Sequence, residues 1–189
     1  LPEIMQTEAE EIFNYLNIKF TRHSNAWLPF LLASIHFLSP GGRLGMIIPS
    51  EIMHVMYAQN LRSYIGDKCK FSMVFDPEDL WFKDTLQGAI IILIEKKESL
   101  SENSLGLGIQ TIKGRDFLKN HASNFINKAI FRNGDTLKGK WTYALLSDNE
   151  YSLLTNLKTD SKIFQFNEIA QVDVGIVTGA NNYFLVSKE

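Results

Sequence analysis

Hydrophobic and polar positions follow a helical period at the start of the chain. Apolar residues recur every three or four positions from Glu3 to Leu16 while glutamates occupy the other side, which predicts an amphipathic helix. A second, strongly apolar helix is predicted to end at about Leu38. Pro29 belongs in its first turn, because proline lacks a backbone N–H and disrupts a helix interior.

Two short apolar runs then predict strands at Leu44–Ile48 and Phe71–Phe75, with a helix over Tyr57–Ile65 between them. Gly66 is expected to stop this helix. A strand–helix–strand unit forms a right-handed crossover, so the two strands are predicted to be parallel. Because the first strand is apolar throughout, it is expected to be covered on both faces.

A third strand is predicted at Ala89–Ile94, the most β-branched run in the chain. The loop from Asp76 to Gly88 is too short for a helical crossover, so this strand is expected to return antiparallel and insert between its predecessors. The first strand follows a Pro40-Gly41-Gly42 turn and ends at Pro49-Ser50-Glu51. Functional groups in such sheets collect at the carboxyl ends of strands, which directs attention to that end.

The remainder of the chain shows weaker patterns, which predict a linker at Ser99–Ser104, a strand at Leu107–Ile112, a partly helical segment at Trp141–Leu157 and a strand-rich end at Ile163–Val186. These patterns divide the chain into a sheet region at 1–98, a connecting region at 99–140 and a final region at 141–189. The connecting region is basic. From Lys113 to Lys140, seven basic residues against two acidic ones give a local charge of about +5.

Composition narrows the class of protein. A chain of 189 residues with 45% hydrophobic content can bury a full core, and no apolar run approaches the roughly 18 residues of a membrane span. The single cysteine, Cys69, excludes an internal disulfide framework and fits a cytoplasmic location. The start at Leu1 has no signal-peptide pattern and looks like an interior start. The net charge of −2 argues weakly against nucleic-acid binding that is driven by the overall charge of the domain.

Several familiar active-site patterns are missing from the sequence. Gly106 and Gly108 are followed by Thr111 where a dinucleotide-binding motif requires a third glycine. The four histidines show no metal-ligand spacing, and Ser50 has no flanking glycines of a nucleophile elbow. The residues alone therefore identify neither a metal site nor a complete active site.

One loop carries candidate binding residues, Trp81-Phe82-Lys83, between the second and third strands. Aromatic rings can stack on a base while a lysine contacts a phosphate, although the same rings can instead fold onto the core. Thr178, Asn181 and Asn182 leave a similar choice between recognition and ordinary turn formation.

Several short motifs occur in a specific order: Asn25-x-Trp27-x-x-Phe30, Leu38 to Ser50 with its Pro-Gly-Gly turn, Leu61-Arg62, Leu80-Trp81-Phe82, Ala89 to Ile92, and the glycine- and asparagine-rich Gly175 to Phe184. In this order and spacing they resemble the adenine-specific DNA methyltransferases of restriction-modification systems. Within this family, they resemble more specifically the class in which the cofactor motif precedes the catalytic motif. It covers Ser24 to Ile94 best and Val174 to Val186 next.

The resemblance implies an α/β fold, the C-terminal half of a class I, Rossmann-like methyltransferase sheet with an antiparallel last strand, followed by an α+β region. Region 1–98 becomes the later half of the catalytic domain, 99–140 a linker and basic connection, and 141–189 the incomplete start of the target-recognition region. Such enzymes bind S-adenosylmethionine at a glycine-containing loop and catalyse with an Asn/Asp-Pro-Pro-aromatic motif. No two of the five prolines here are adjacent, so that motif is not in this chain and the chain alone is expected to be inactive.

By the same resemblance, Phe30, with Trp27 and Asn25 near it, is expected at the adenine end of the cofactor. Phe82 is expected to stack on the extruded target adenine, which must leave the duplex before its amine is reached. The expected DNA contacts come from two segments: Trp81, Lys83, Thr85 and Gln87 in the first, and Thr178, Asn181 and Asn182 in the second.

The expected partners are double-stranded DNA with a flipped adenine, an N-terminal cofactor-binding half, and a restriction or specificity subunit. Two other functions stay open at this point. One is a non-catalytic DNA-binding or assembly module that reuses half of the methyltransferase fold. The other is a methyltransferase-like enzyme that acts on RNA or on a small molecule.

Overall fold

The computed structural model describes residues 3–21, 24–82, 88–113, 119–132, 138–173 and 175. The chain divides into two compact units, Leu1–Ser147 and Asp148–Glu189. In the first unit the elements are α1 Glu3–Tyr15, α2 Trp27–Phe37, β1 Arg43–Pro49, α3 Gln59–Lys68, β2 Cys69–Pro77, β3 Ala89–Lys96, β4 Gly106–Ile112, α4 Ala122–Ile126 and β5 Phe131–Arg132. Short 3-10 helices lie at Ser50–Met53, Met56–Ala58 and Trp141–Leu145. The second unit contains α5 Asp148–Thr159 and α6 Phe166–Ile169.

The described strands form one mixed sheet in the order β1-β3-β2-β4-β5. β3 pairs antiparallel with β1 on one side and with β2 on the other, so β1 and β2 run parallel to each other. The insertion of the third strand between the first two, as the sequence predicts, is thereby confirmed. β4 then extends the sheet beyond β2 in parallel register, with Pro77 opposite Ile112.

Helix α2 is fixed at both ends by features visible in the sequence. Pro29 lies in its first turn, as predicted, and one side of the helix is completely buried. At the other end, the Lys96 ammonium group at the end of β3 donates hydrogen bonds of 2.7 Å to the carbonyl oxygens of His36 and Leu38. Carbonyl groups at the end of a helix have no N–H donor inside the helix, and Lys96 supplies one for these two. Gly41, at φ 71°, then turns the chain into β1.

Two apolar clusters cover the two faces of the sheet. The larger joins α1, α2 and α3 to the sheet and includes the fully buried Leu28, Leu61, Ile92 and Trp141. The smaller, around Met73, Phe75 and Ile112, packs against α4, β5 and Trp81. Helices therefore cover one face of the sheet more fully than the other.

The strand predicted at Leu107–Ile112 is confirmed as β4, and it is an integral strand of the sheet. Gly108 faces Met73 across the β2–β4 pair. A Cβ at position 108 would lie 2.8 Å from the Met73 sulfur and 3.1 Å from the Phe131 ring, so only glycine permits this approach.

Three local predictions were wrong. Helix α3 continues through Gly66 to Lys68, because the burial of Leu61 and Ile65 outweighs the low helix propensity of glycine. β1 is not covered on both faces in the described structure, since the side chain of Ile47 is exposed. The end of the chain was predicted to be rich in strands from Ile163 to Val186, and this is wrong for the described residues Ile163 to Asp173, which contain only helix α6. Residues 174 and 176–186 of that prediction lie outside the described residues.

Candidate functional site at the carboxyl end of the sheet

Three chain connections meet at one end of the sheet, where β1, β2 and β4 all finish. The backbone N–H of Ser50, just after β1, donates to the carbonyl of Gly88, just before β3, at 2.8 Å. The N–H of Glu78, just after β2, donates to the carbonyl of Ile112 at the end of β4, at 3.0 Å. The turn after β1, the loop that carries Trp81 and Phe82, and the end of β4 are thus held together.

Glu51 is the central residue of the turn after β1, and it is only 8% exposed. Its Oε1 accepts hydrogen bonds from the indole Nε1 of Trp27 at 2.6 Å and from Nδ2 of Asn25 at 3.2 Å. The Oδ1 of Asn25 in turn accepts from the backbone N–H of Ala26 at 2.8 Å. The first turn of α2 is therefore tied to the carboxyl end of β1 through one buried carboxylate.

Tyr57 completes this group, which we name the Glu51 cluster: Glu51, Trp27, Asn25 and Tyr57. Burial, followed by the hydrogen bond and the negative charge of Glu51, raises the pKa of Tyr57 well above its ordinary value of 10.0. The phenol therefore keeps its proton and serves as a donor to the carboxylate. The Trp27 and Tyr57 rings lie 6.4 Å apart between centroids, inclined at 45°.

Arg62 holds the same turn from the α3 side. Its Nη1 donates to the carbonyls of Ile52 and Val55 at 2.8 and 3.0 Å, and its Nε donates to the carbonyl of Gly139 at 2.6 Å. Burial lowers the pKa of this guanidinium to about 10, which leaves it charged at neutral pH. One buried cation therefore connects the turn after β1 to the segment that precedes the Trp141–Leu145 helix.

The three residues predicted to contact a cofactor lie in two different environments. Asn25 and Trp27 bind Glu51, whereas Phe30 is exposed and lines an apolar cavity of about 210 Å³ between α1 and α2. Met5, Ala9 and Pro29 also line this cavity, and Glu8 is its acidic member. The cofactor roles of all three residues stay predictions.

The two aromatic residues predicted to bind DNA also lie in different environments. Trp81 is half-buried and packs on the cluster of Met73, Phe75 and Ile112, which is the core alternative that the sequence left open. Phe82 is 47% exposed at the carboxyl end of the sheet. The remaining predicted DNA contacts, Lys83, Thr85, Gln87, Thr178, Asn181 and Asn182, lie outside the described residues.

The sequence did not identify Glu51 or Tyr57 as site residues, although it did mark the carboxyl end of the first strand. A carboxylate two positions after a buried strand was the available signal, and its partners lie 24 and 26 residues earlier in the chain. Within the described ranges, no group of three His, Cys, Asp or Glu residues is arranged to hold a metal ion. In the same part of the chain, no helix is both long and apolar enough to cross a membrane.

Comparison with known proteins adds two family matches. Residues 3–81 match the family described as the Eco57I restriction-modification methylase. Residues 138–189 match the family described as the C-terminal domain of the Type II methyltransferase M.Eco57I. The first match includes the whole Glu51 cluster, and the second begins beside Gly139, the carbonyl partner of Arg62.

A curated relative aligns with most of the chain. The Type II methyltransferase M.AccI from Acinetobacter calcoaceticus is 29% identical over 182 residues, which are 93% of this chain and 32% of the relative. The chain thus spans about a third of the length of the curated relative that it matches.

Among solved structures, the DrdV–DNA complex superposes with a TM-score of 0.52 at 10% identity, over 82% of this chain and 18% of that one. The M protein of the Type I restriction enzyme EcoKI gives a TM-score of 0.40 at 17% identity, over 48% of this chain and 20% of that one. At these identities the likeness to DrdV concerns the fold. The family matches at both ends of the chain, together with the relative along most of its length, show that it is similar to part of the DNA methyltransferases of restriction-modification systems.

Proposed function

We propose that this chain is the later part of an adenine-specific DNA methyltransferase, which transfers a methyl group from S-adenosylmethionine to the exocyclic amine of adenine in a specific DNA sequence. The observation that carries the proposal is the position of Phe82. It is an exposed aromatic residue on the connection between β2 and β3, at the same carboxyl end of the sheet as the Glu51 cluster.

The strand arrangement supports this proposal. β1, β2 and β3 agree in order and direction with the C-terminal half of the sheet that the sequence resemblance implies, and β3 is its antiparallel last strand. β1 is the edge strand of the described sheet, so a further strand can pair along its outer side. In our proposal the N-terminal cofactor-binding half supplies that strand, while region 99–140 connects the catalytic part to a target-recognition region that starts at 141.

The cavity beside Phe30 is the proposed binding position of the adenine ring of the cofactor. Its lining is mostly apolar, and an exposed phenylalanine on α2 offers a flat face for a planar base. S-adenosylmethionine supplies the electrophilic methyl group of the reaction. The residues of this chain hold only the adenine end: Phe30 packs on the ring, and the Glu51 cluster fixes the helix turn that carries Phe30.

Phe82 is proposed to stack on the extruded target base and hold its amine at the active site. A base that leaves the duplex loses its stacking, and an aromatic side chain replaces part of it. The Asn/Asp-Pro-Pro-aromatic motif that would accept hydrogen bonds from the amine is absent from this sequence. The chain alone is therefore expected to transfer no methyl group.

The test of the proposal is Phe82→Ala in the complete protein that contains this chain. Loss of base stacking of about 1 to 3 kcal/mol should lower the rate of methyl transfer by a factor of about 5 to about 150. Phe82→Tyr should restore the rate, because tyrosine keeps the aromatic face. Transfer of labelled methyl groups to the N6 position of adenine in duplex DNA is the measurement.

Phe37→Ala is the matched control. Phe37 is 78% exposed at the end of α2, near the start of β1 and therefore at the other end of the sheet. This variant should keep the wild-type rate. A rate that falls equally in both variants, or that is unchanged in Phe82→Ala, would contradict the assignment. DNA affinity with little dependence on Phe82 and no methyl transfer by the complete protein would favour the non-catalytic DNA-binding module.

A further inference from the structure

β4 brings a lysine to the loop that carries Phe82. The β2–β4 register places Pro77 opposite Ile112, so the next residues along the two strands, Glu78 and Lys113, are neighbours. The hydrogen bond from the N–H of Glu78 to the carbonyl of Ile112 fixes this arrangement. Lys113 is distant from the Phe82 loop in sequence, and the structure places it at the base of that loop.

Lys113 is available for a further partner. Its side chain is 82% exposed, and its Nζ lies 3.6 Å from Oε2 of Glu78, which is itself 45% exposed. An ion pair between two such exposed groups contributes little to stability and is readily screened by salt. The lysine can therefore exchange this carboxylate for another anion without disturbing the fold.

The distance to Phe82 suits a DNA phosphate near the extruded base. Phe82 is four positions after Glu78, so their Cα atoms lie within about 14 Å of each other. Phosphates follow one another at about 3.4 Å of helical rise along a strand. A lysine at the base of the loop is thus within a few nucleotides of any base that stacks on Phe82.

We propose that Lys113 contacts the DNA backbone beside the target base, and that Glu78 is the carboxylate it leaves when DNA binds. This inference rests on the proposed function, because it takes the end of the sheet with Phe82 as the DNA-facing one. A backbone contact of this kind positions the duplex and is independent of its sequence.

The test compares the salt dependence of DNA binding between variants of the complete protein, with a fluorescent duplex of arbitrary sequence as the probe. Each phosphate contact contributes a slope of about −0.9 to the dependence of log affinity on log salt concentration. Lys113→Gln should therefore make the slope shallower by about 0.9. The factor by which the variant binds DNA more weakly than the wild type should fall about threefold to fourfold as salt rises from about 50 to about 200 mM. Lys113→Arg should behave like the wild type.

Lys138→Gln is the matched control, because Lys138 also forms a single exposed ion pair, with Asp67 at 3.3 Å, near the end of α3 and the start of β2. Its slope should be unchanged. Glu78→Gln should tighten DNA binding, since it removes both the competing partner and a repulsive charge. An unchanged slope in Lys113→Gln, or an equal change in Lys138→Gln, overturns the inference.

These results are separate from the proposed function. Failure of the complete protein to methylate DNA would refute the methyltransferase proposal, while the salt slopes would still decide whether Lys113 contacts phosphate. Conversely, normal methyl transfer with an unchanged slope in Lys113→Gln would refute only the role of Lys113.

Discussion

A buried glutamate lies at each end of the sheet. Glu51 follows β1 at the carboxyl end, and Glu95 lies where β3 finishes beside the start of β1, with both residues 8% exposed. Three neutral donors, Trp27, Asn25 and Tyr57, lie around Glu51. Those around Glu95 are cations, since Arg43 Nε lies 2.8 Å and Lys70 Nζ 3.2 Å from its oxygens.

The partners also differ in burial and in what they connect. The Arg43 side chain is 80% exposed, and Lys70 is shared with Glu102, so the Glu95 group forms a chain of charges at the surface. The donors to Glu51 come from the first turn of α2 and from the turn before α3. Loss of Glu95 therefore loosens a surface network, whereas loss of Glu51 frees two connections near the proposed site.

The largest effect is expected from Arg62, which supports the turn after β1 beside the Glu51 cluster. Arg62→Ala removes a buried cation that donates to three backbone carbonyls. With hydrogen bonds to a charged group lost and the carbonyls left unsatisfied, the free energy of unfolding should fall by about 4 kcal/mol. Urea unfolding measures this loss. Arg132→Ala is the control, because Arg132 is half-buried and donates to the Leu146 carbonyl, and it should cost about 1 kcal/mol.

Glu51→Ala should come next, with a loss of about 2 to 4 kcal/mol. It leaves the Trp27 and Asn25 donors without their acceptor in a poorly hydrated position. Glu51→Gln should cost less, about 1 kcal/mol, because its amide oxygen still accepts from Trp27. Urea unfolding at low and high salt separates the two ends of the sheet. A loss that disappears at high salt would contradict the assignment of neutral donors as the main partners.

Glu95→Gln should cost about 1 kcal/mol or less, and the loss should vanish in about 1 M salt. Its cations lie at the surface, so water replaces the carboxylate once the negative charge is removed. The measurement is the urea midpoint at several salt concentrations. If Glu95→Gln proves as costly as Glu51→Ala at every salt concentration, the contrast between the two ends is wrong.

The sequence predicted the central part of the sheet because that part depends on local patterns. The Pro40-Gly41-Gly42 turn, the apolar strands and the short β2–β3 connection are each readable over a few residues. Together they determine that β3 inserts antiparallel between β1 and β2. The place of β4 was missed because its pairing with β2 depends on packing across the sheet, such as the contact between Gly108 and Met73.

The site was predictable in position and less so in its members. The carboxyl end of β1 was identified from general principles of α/β sheets. The sequence marked Trp27 for its place in a motif, but its hydrogen bond to Glu51 joins residues 24 positions apart and follows from tertiary packing. Tertiary packing also decides whether an aromatic residue faces solvent, as Phe82 does, or the core, as Trp81 does.

Alkaline pH should weaken the carboxyl end. The pKa of Tyr57 is raised in the folded chain, so above about pH 10 the unfolded phenol loses its proton while the folded one keeps it. Stability from this group is complete below pH 10 and falls as the pH rises further. Tyr57→Phe should show a shallower alkaline decline, which urea midpoints across this range measure. Tyr151→Phe is the control, and an equal change there would attribute the decline to tyrosines in general.

Acidic pH should weaken the amino end, through Glu102, with the smallest effect. The N–H of Glu98, at 2.8 Å, and then Lys70 lower the pKa of Glu102 below its ordinary value of 4.5. Its contribution is therefore present above pH 4.5 and is lost as the pH falls through the folded pKa. Urea midpoints of the wild type and Glu102→Gln should differ at neutral pH and converge as the pH falls below 4.5 and through the lowered folded pKa. A difference that stays constant across this range would mean that the charge of Glu102 is irrelevant.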